Sequence, residues 1–589
     1  MGVDMQGGLT AWLRGDPSPW RNPIQVLVIV LALVAILLPR VRDWLALWID
    51  RARQPSPSDA RKTAVAIGVV VFLYIIAAAY WQGRDLGPGS HDVHMYLLQA
   101  RFLSTGRLWT AAHPMADFFE TFYVFTKPVY APMYFPGTAL LYLPWAWFGI
   151  PAWLLAAAVG GTAAALMYLV IGQLLDGAAG IVAALLVPTI QQFRLNAVEP
   201  LSHPALLMIG LLTTWTWLCW RRTSRSPAMT AVVAAAMSWA IITRPIEGLC
   251  YVLPIGVAML LDLRGRSVNW VRLLSAGALA AAPLLALQFF LDVGVTGSLL
   301  KTPTALYAER EWSGFKYLGF SAVEPKAEPT SSLPEKHDLY VEMIRPSMVA
   351  HRPDNLLNID WLVHRLGVIA AATLPNSLLL IPFMVGMLGI WAKRWWVLSD
   401  RRWVLFLPLP LFFVAYAINP ALLPWYALTV IPAVLMMVMA GFRLVERLWP
   451  RAGASISVLS VILPLGLAMG TLPGLNPKVK DNWLTGPSLM HWVYNDLPGQ
   501  VQRPALVLFT YKSGVDVPHE EPVYNIDVVN IDDAPIIKAH DLGSARNAEI
   551  IRYYGQRQPN RRVYLCDRAT RTLTDLGPAG TLIATTKGR

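Results

Sequence analysis

The chain has 589 residues, 55% of them hydrophobic and 15% charged, with 49 Lys and Arg against 37 Asp and Glu for a formal net charge of +12. Several uninterrupted apolar runs reach the ~20 residues that a helix needs to cross a bilayer, which marks a polytopic membrane protein. The arginines gather in short segments between those runs, where they orient the chain, so a nucleic-acid partner is excluded. The three cysteines, Cys219, Cys250 and Cys566, exclude a disulfide framework.

The first apolar run, Ile24 to Leu38, leads directly into Pro39-Arg40-Val41-Arg42 with no small-residue cleavage site, and reads as a retained anchor. Candidate spans follow at 24–39, 63–80, 152–172, 178–193, 204–220, 229–243, 246–262, 273–291, 376–392, 403–418, 424–442 and 454–472. Five basic links separate them: Arg40 to Lys62, Arg221-Arg222 with Arg225, Arg264 to Arg272, Lys393 to Arg402, and Arg443 to Arg451. The positive-inside rule places all five in the cytoplasm. Alternation of sides satisfies them together only if Met133 to Gly149 does not cross. With prolines at both ends of its apolar stretch and Tyr142, Trp145 and Trp147 suited to head-group depth, that segment is expected to be an interfacial helix. A loop over 82–150, a second over 292–375 and a tail from Asn476 then share the outer face, and the N-terminus comes out external.

The tail differs in composition. Ala505 to Tyr511 and Arg562 to Cys566 are β-type runs around a helix-like Ala545 to Tyr554, which predicts a small α/β domain without a nucleotide fingerprint, metal spacing or repeat. Its bland reading is a structural cap or an acceptor-binding module. The expected architecture is an α-helical polytopic membrane protein of about 12 transmembrane helices, residues 1–475, followed by an extracytoplasmic α/β domain, residues 476–589.

The spans hold almost no ionisable residue, Glu247 sitting at an outer end three residues after Arg244. Ion-coupled transporters and channels place charge at mid-membrane or break their helices there, so polar chemistry falls to the outer surface. The first outer loop opens with Gly89-Ser90-His91-Asp92-Val93-His94-Met95-Tyr96 and continues to Arg101. Ser90 or Asp92 suits the N-cap of a helix over 93–103, and from local sequence alone a cap outranks a catalyst. His91, Asp92 and His94 match no strong metal spacing; no cofactor is indicated, and a divalent cation stays open only as a weak option. Between the fourth and fifth spans stand Glu199 and His203, with Glu199-Pro200 equally readable as the start of a helix. Arg244 lies at phosphate depth, where snorkelling and phosphate binding both account for it. Lys301, after the Thr296-Gly297-Ser298 turn, is a weaker phosphate contact.

These features resemble the GT-C class of integral-membrane glycosyltransferases, which includes protein O-mannosyltransferases and the bacterial aminoarabinose transferase for lipid A. In that class the first outer loop begins with an acidic pair four and three residues before a tyrosine. Here Asp92 and Tyr96 keep the spacing, Ala100-Arg101 follow, and Val93 replaces the second acid. Tyr134-Phe135-Pro136-Gly137 and Phe148-Gly149 match the turn and amphipathic helix later in the loop, and Arg244-Pro245, Thr296-Gly297-Ser298 and Trp425-Tyr426 before Ile431-Pro432 complete the pattern, spread thinly over 60–440.

The resemblance implies transfer of a sugar, with inversion, from a polyprenyl-phosphate donor to a lipid, glycan or protein acceptor at the outer face. It assigns Asp92 as general base; the acid of the second loop corresponds either to Glu199, a second catalytic acid, or to the Ser202-His203 pair that replaces it in other bacterial variants, and His94, Tyr96, Arg101, His203, Arg244 and Lys301 are assigned to substrate binding. A bacterial inner membrane is the expected location. A polymerase or ligase of lipid-linked glycans and a lipid-sugar flippase without catalysis are the alternatives.

Overall fold

A computed structural model describes residues 23–587 except 224, 266, 313, 317–318, 321–330, 393–394, 477–478, 480 and 482–487. The expectation for the extreme N-terminus and the start of the fourth basic link, at Lys393, lie outside the described residues. The chain groups into two compact units, one of Met1–Arg84, Trp153–Ala286 and Pro353–Asn482, the other of Asp85–Ala152, Leu287–Arg352 and Trp483–Arg589.

The first unit is helical. Pro57–Trp81, Ala152–Leu174, Pro245–Leu263, Trp270–Thr296, Pro424–Leu448 and Pro450–Met469 are each long and apolar enough to cross a membrane, and two bent pairs raise the number to eight if each pair is one span. Val65, Val69, Val70 and Leu73 are at least half exposed along Pro57–Trp81, an apolar face suited to hydrocarbon rather than water. The protein is therefore an integral membrane protein.

Proline explains where the helices depart from the sequence reading. The run at 24–39 forms Pro23–Leu37 and then turns by 101° into Pro39–Arg53, a helix where a link was expected. The run at 178–193 breaks at Pro188 into Gly177–Leu186, a short 3₁₀ turn and Gln191–Asn196. Ile359–Thr373, expected as loop, is a helix that turns by 108° into Ser377–Trp391 across Pro375.

Close helix contacts rest on small residues. A Cβ on Gly161 would lie 2.6 Å from the Gly68 carbonyl oxygen, and one on Gly441 would overlap the Pro382 carbonyl, so only glycine lets these backbones approach.

Four of the five basic links make ties to other helices, and one tie reaches the residues just before the fifth. Arg53 binds Glu446 at 2.7 Å, Arg443 binds Asp176 at 2.6 Å, and Arg402 donates to the Leu174 carbonyl at 2.6 Å. Arg401 and Arg221 both meet Asp262, at 2.9 and 3.0 Å, just before the link at Arg264. The links predicted to share a face thus meet at one end of this unit. Away from these links, Arg84 donates to the Arg194 carbonyl, Arg194 binds Asp481, and Arg244 donates to Ser202 and Tyr416.

The second unit opens with the helix His91–Ser104, followed by a small antiparallel sheet ordered Thr110–Ala111, Val129–Pro132, Val124–Phe125. Met133 to Gly149 yields a 3₁₀ turn and the helix Leu143–Phe148. Ten helical residues, Ala139–Phe148, rise about 15 Å, half a hydrocarbon core, so this segment does not cross as a helix. The tail carries a four-stranded sheet ordered Ile536–His540, Ala505–Thr510, Arg562–Asp567, Thr572–Pro578. The first three strands are parallel and the last is antiparallel. Ala505 to Phe509 are buried throughout, as a central parallel strand covered on both faces must be. Ser544–Arg557 and Ala579–Lys587 pack on each other, Ile583 filling the space left by Gly555.

Candidate functional site

The predicted residues fall into two clusters, one in each unit. In the second unit His91–Ser104 begins after Ser90, whose extended backbone forms the N-cap without a side-chain cap bond. Asp92 lies in the first turn, where the unsatisfied backbone amides and the helix dipole favour a carboxylate. Its Oδ1 accepts a hydrogen bond from the Tyr134 hydroxyl at 2.5 Å. One helical turn on, Tyr96 stacks on the Tyr134 ring with centroids 5.2 Å apart and planes 19° apart. Tyr123, at φ 63°, also packs on Tyr134, with ring centroids 5.7 Å apart. Burial, then the neighbouring Asp92 charge, push the Tyr134 phenol well above its ordinary range, so it remains a donor to Asp92 at physiological pH.

The two loop histidines face a different environment. His94 binds the Ser90 carbonyl through Nδ1 at 2.6 Å and stacks on Tyr524 at 4.3 Å, while its Nε2 is buried without a hydrogen-bond partner. His91 meets the Tyr524 hydroxyl through Nδ1 at 2.8 Å. Burial pushes both imidazoles down to about 3, and each is neutral in the folded protein. Arg101, at the far end of the helix, donates to the Ala146 carbonyl at 3.1 Å and lies 4.6 Å over the Trp145 ring, which ties Leu143–Phe148 to it. Lys301 pairs with Glu309 at 2.5 Å on the surface.

In the first unit Arg244 is the N-cap of Pro245–Leu263. Its guanidinium binds Glu247 at 2.5 Å and the Ser202 hydroxyl at 3.0 Å, and lies 4.8 Å over the Tyr426 ring. Glu247 is 3% exposed and also accepts from the Tyr416 hydroxyl at 2.6 Å. His203 packs on the same tyrosine, its ring 4.9 Å from that of Tyr426, with Nδ1 buried and without a hydrogen-bond partner. Arg244 therefore belongs to a buried ion pair with its own i+3 glutamate, beyond either snorkelling or phosphate binding alone. Glu199 lies 3.7 Å from Arg84, which also donates to the Arg194 and Leu195 carbonyls. Arg194 in turn grips Asp481 with two bonds, at 2.8 and 3.1 Å.

One buried group among the described residues has the ligand types of a metal site: Glu335, Glu521 and His540, whose ligand atoms lie within 4.8 Å of one another. Arg568 already occupies it, with Nη2 3.0 Å from Glu335, 3.3 Å from Glu521 and 3.3 Å from His540 Nδ1. Burial opposes ionisation of Glu335, but the His540 bond and the Arg568 charge bring its carboxyl down to about 2. Burial likewise opposes charge on His540, which Glu521 and Glu335 nevertheless raise above its ordinary value. Burial raises the Glu521 carboxyl above its ordinary value against the opposing pull of Arg568 and His540, and Arg568 stands between the two acids.

No family model matches the chain, and no curated protein matches it. Among solved structures, ArnT from Cupriavidus metallidurans bound to undecaprenyl phosphate is similar at 14% identity and a TM-score of 0.44, over 87% of this chain and 94% of that one. The Archaeoglobus fulgidus oligosaccharyltransferase in its apo form is similar at 12% identity and a TM-score of 0.40, over 86% of this chain and 69% of that one. AglB from Archaeoglobus fulgidus, in complex with an inhibitory peptide and a dolichol-phosphate, gives 13% identity and a TM-score of 0.39, over 76% and 62%. These likenesses are too distant to assign a fold or an activity.

The structure thus brings Asp92 and Tyr96 together through Tyr134, and brings His203 and Arg244 together through Tyr426. It sets His94 into an aromatic stack, and Arg101, Lys301 and Glu199 each beside other partners. Sequence reasoning missed Tyr134 and Tyr416 as carboxylate partners. The i, i+3 spacing of Arg244 and Glu247 was a readable signal for their pair; the spacing of Tyr134 from Asp92, 42 residues, carried none.

Proposed function

We propose that the protein is a membrane glycosyltransferase that moves a sugar from a polyprenyl-phosphate donor to a lipid, glycan or protein acceptor at the outer face, with Asp92 as general base. The observation that supports it best is the Asp92 carboxylate, placed in the first turn of a helix and fixed by the Tyr134 hydroxyl and the Tyr96 stack. A general base needs an ionised group with one orientation, and both the helix terminus and the phenol favour the charged form. In the reaction the acceptor hydroxyl gives its proton to Asp92 as its oxygen bonds to the anomeric carbon, the bond from that carbon to the phosphate oxygen breaks, and polyprenyl phosphate leaves. Val93 stands where a second acid would pair with Asp92, so Asp92 is the one carboxylate at that position.

On the same reading Arg244 contacts a donor phosphate, the Glu247 pair and Ser202 holding its fork in orientation. His203 and Lys301 bind substrate, Tyr96 and Arg101 position the loop, His94 supports it from within the aromatic stack, and Glu199 is a second catalytic acid. The chain crosses the membrane about 12 times, with residues 1–475 as the transferase module and 476–589 as an extracytoplasmic α/β domain. A bacterial inner membrane, with the active loop on the periplasmic side, is the proposed location.

The test is sugar transfer by the purified full chain in detergent, where no two sides exist, from a polyprenyl-phosphate monosaccharide. Transfer is expected, and Asp92→Asn is expected to lower turnover by ~10²–10⁴ with the fold intact. Near-normal turnover in that variant would remove Asp92 from the role. Absence of transfer from any such donor would leave transport or ligation of larger glycans.

A further inference from the structure

Pro23–Leu37 carries no charged residue, and Leu27, Leu31, Leu33 and Leu37 on it are more than half exposed, an apolar surface suited to hydrocarbon. It packs beside the span Pro450–Met469, where Val28 fills the space left by Gly466. The chain then turns by 101° into Pro39–Arg53 and, after only Gln54-Pro55-Ser56, enters the span Pro57–Trp81. Both ends of Pro39–Arg53 are therefore tied to helices in the membrane at one bilayer surface. Six of its 15 residues are charged, which keeps it out of the hydrocarbon, and the turn lays it along the surface.

Helical periodicity, about 100° per residue, sorts its side chains into stripes. Ala46 and Ile49 are buried and pack with Ala178 and Val458. Away from them Val41, Trp44 and Trp48 form an exposed stripe, the two indoles meeting edge to face at 6.2 Å. Beside that stripe lie Leu47, Arg40 and Arg51, all exposed, and beyond those Asp43 and Asp50. Arg42 meets Asp43, and Arg53 meets Asp50 and Glu446, whereas Arg40 and Arg51 make no ion pair among the described residues. The Arg51 guanidinium lies 5.1 Å over the Trp48 ring, which holds its charge beside the aromatic stripe. The order across the exposed surface is aromatic, basic, acidic. A bilayer surface offers the matching order: the acyl boundary, the phosphates, and water.

We propose that Pro39–Arg53 is a membrane-surface helix that binds anionic phospholipid, Trp44 and Trp48 entering the head-group layer and Arg40 and Arg51 contacting lipid phosphates. Two arginines without carboxylate partners favour lipids of net negative charge over zwitterionic ones. None of these residues takes part in the transfer chemistry assigned to Asp92.

The experiment places a photoreactive benzophenone amino acid at position 44 of the full chain, in lipid nanodiscs of equal phosphatidylglycerol and phosphatidylcholine. After irradiation the adducts are read by mass spectrometry. Phospholipid adducts are expected, with phosphatidylglycerol enriched roughly fivefold over phosphatidylcholine, the factor for one arginine at an anionic surface. Arg40 and Arg51 are exposed, so Arg40→Gln with Arg51→Gln should fold normally and bring that ratio near one while lipid adducts persist. The same benzophenone at position 43, on the acidic stripe, should label lipid several-fold less. Adducts to a second copy of the chain in place of lipid, equal lipid labelling from positions 43 and 44, or no preference for phosphatidylglycerol with both arginines present would overturn the proposal.

Discussion

The Tyr134 hydroxyl stands 2.5 Å from Oδ1 of Asp92, and its ring stacks on Tyr96 one turn further along the same helix. A loop turn that carries no acid of its own thus fixes the carboxylate to which the chemistry is assigned. Tyr134→Phe keeps the stack and removes only the donor. A hydrogen bond to a charged group contributes ~1.5–3 kcal/mol, so the variant should unfold that much more easily and lose turnover with the acceptor, not binding of the donor. Denaturant titration and steady-state transfer kinetics measure both; a variant unchanged in stability and in kcat would show that the bond orients nothing.

Arg244→Lys should fail to reproduce the two-pronged hold on Glu247 and Ser202. The expected result is a raised KM for the polyprenyl-phosphate donor together with a lower melting temperature. If stability alone falls and donor KM is unaltered, Arg244 is a tie between helices and no more.

Acid should destabilise the fold through His91 and His94. Their folded pKa values, near 3, lie below the ordinary value of 6.5, so the folded state binds fewer protons than the unfolded chain between those limits. The stability they contribute is complete above about pH 6.5 and is lost as pH falls toward 3, at up to ~1.4 kcal/mol per unit for each ring. His94→Phe keeps an aromatic ring against Tyr524 and removes one titrating group. Its stability should fall less steeply with acid than that of the parent, as read from denaturation midpoints at a series of pH values; parallel slopes would clear His94 of this part.

Arg568→Leu should cost ~3–5 kcal/mol, because the buried Glu335 carboxylate would lose the guanidinium that faces it and keep only His540. Calorimetry of the full chain tests this. Little change would mean that a carboxyl group takes up a proton in place of the guanidinium.

The apolar runs and the charge between them made the helical unit legible, because ~20 hydrophobic residues and an arginine-rich link leave few alternatives. Breaks were harder to place. Pro188 stands inside a segment read as one span, and Pro39 closes another whose onward basic link is itself a helix, so hydropathy marks neither the break nor the bend of 101°. In the tail, Ala505–Thr510 and Arg562–Asp567 announced themselves by β-branched and aromatic residues, whereas Thr572–Pro578, an edge strand with Asp and Gly, did not. Of the candidate site, Asp92, Tyr96 and Arg244 were visible because their neighbours in sequence give them a setting. Tyr134, Tyr416 and Arg568 act across the fold, and no local pattern reports a partner 40 or more residues away.

The ties from Arg53 to Glu446, Arg443 to Asp176 and Arg401 to Asp262 also change how sidedness should be mapped. Moving or neutralising arginines, the usual way to probe orientation, would here cut the braces between helices and report misassembly as though it were inversion. Cys250 and Cys566 are buried, so a chain with Cys219 replaced offers a quiet background for single reporter cysteines at exposed loop positions. Such reporters would read orientation while leaving the braces in place.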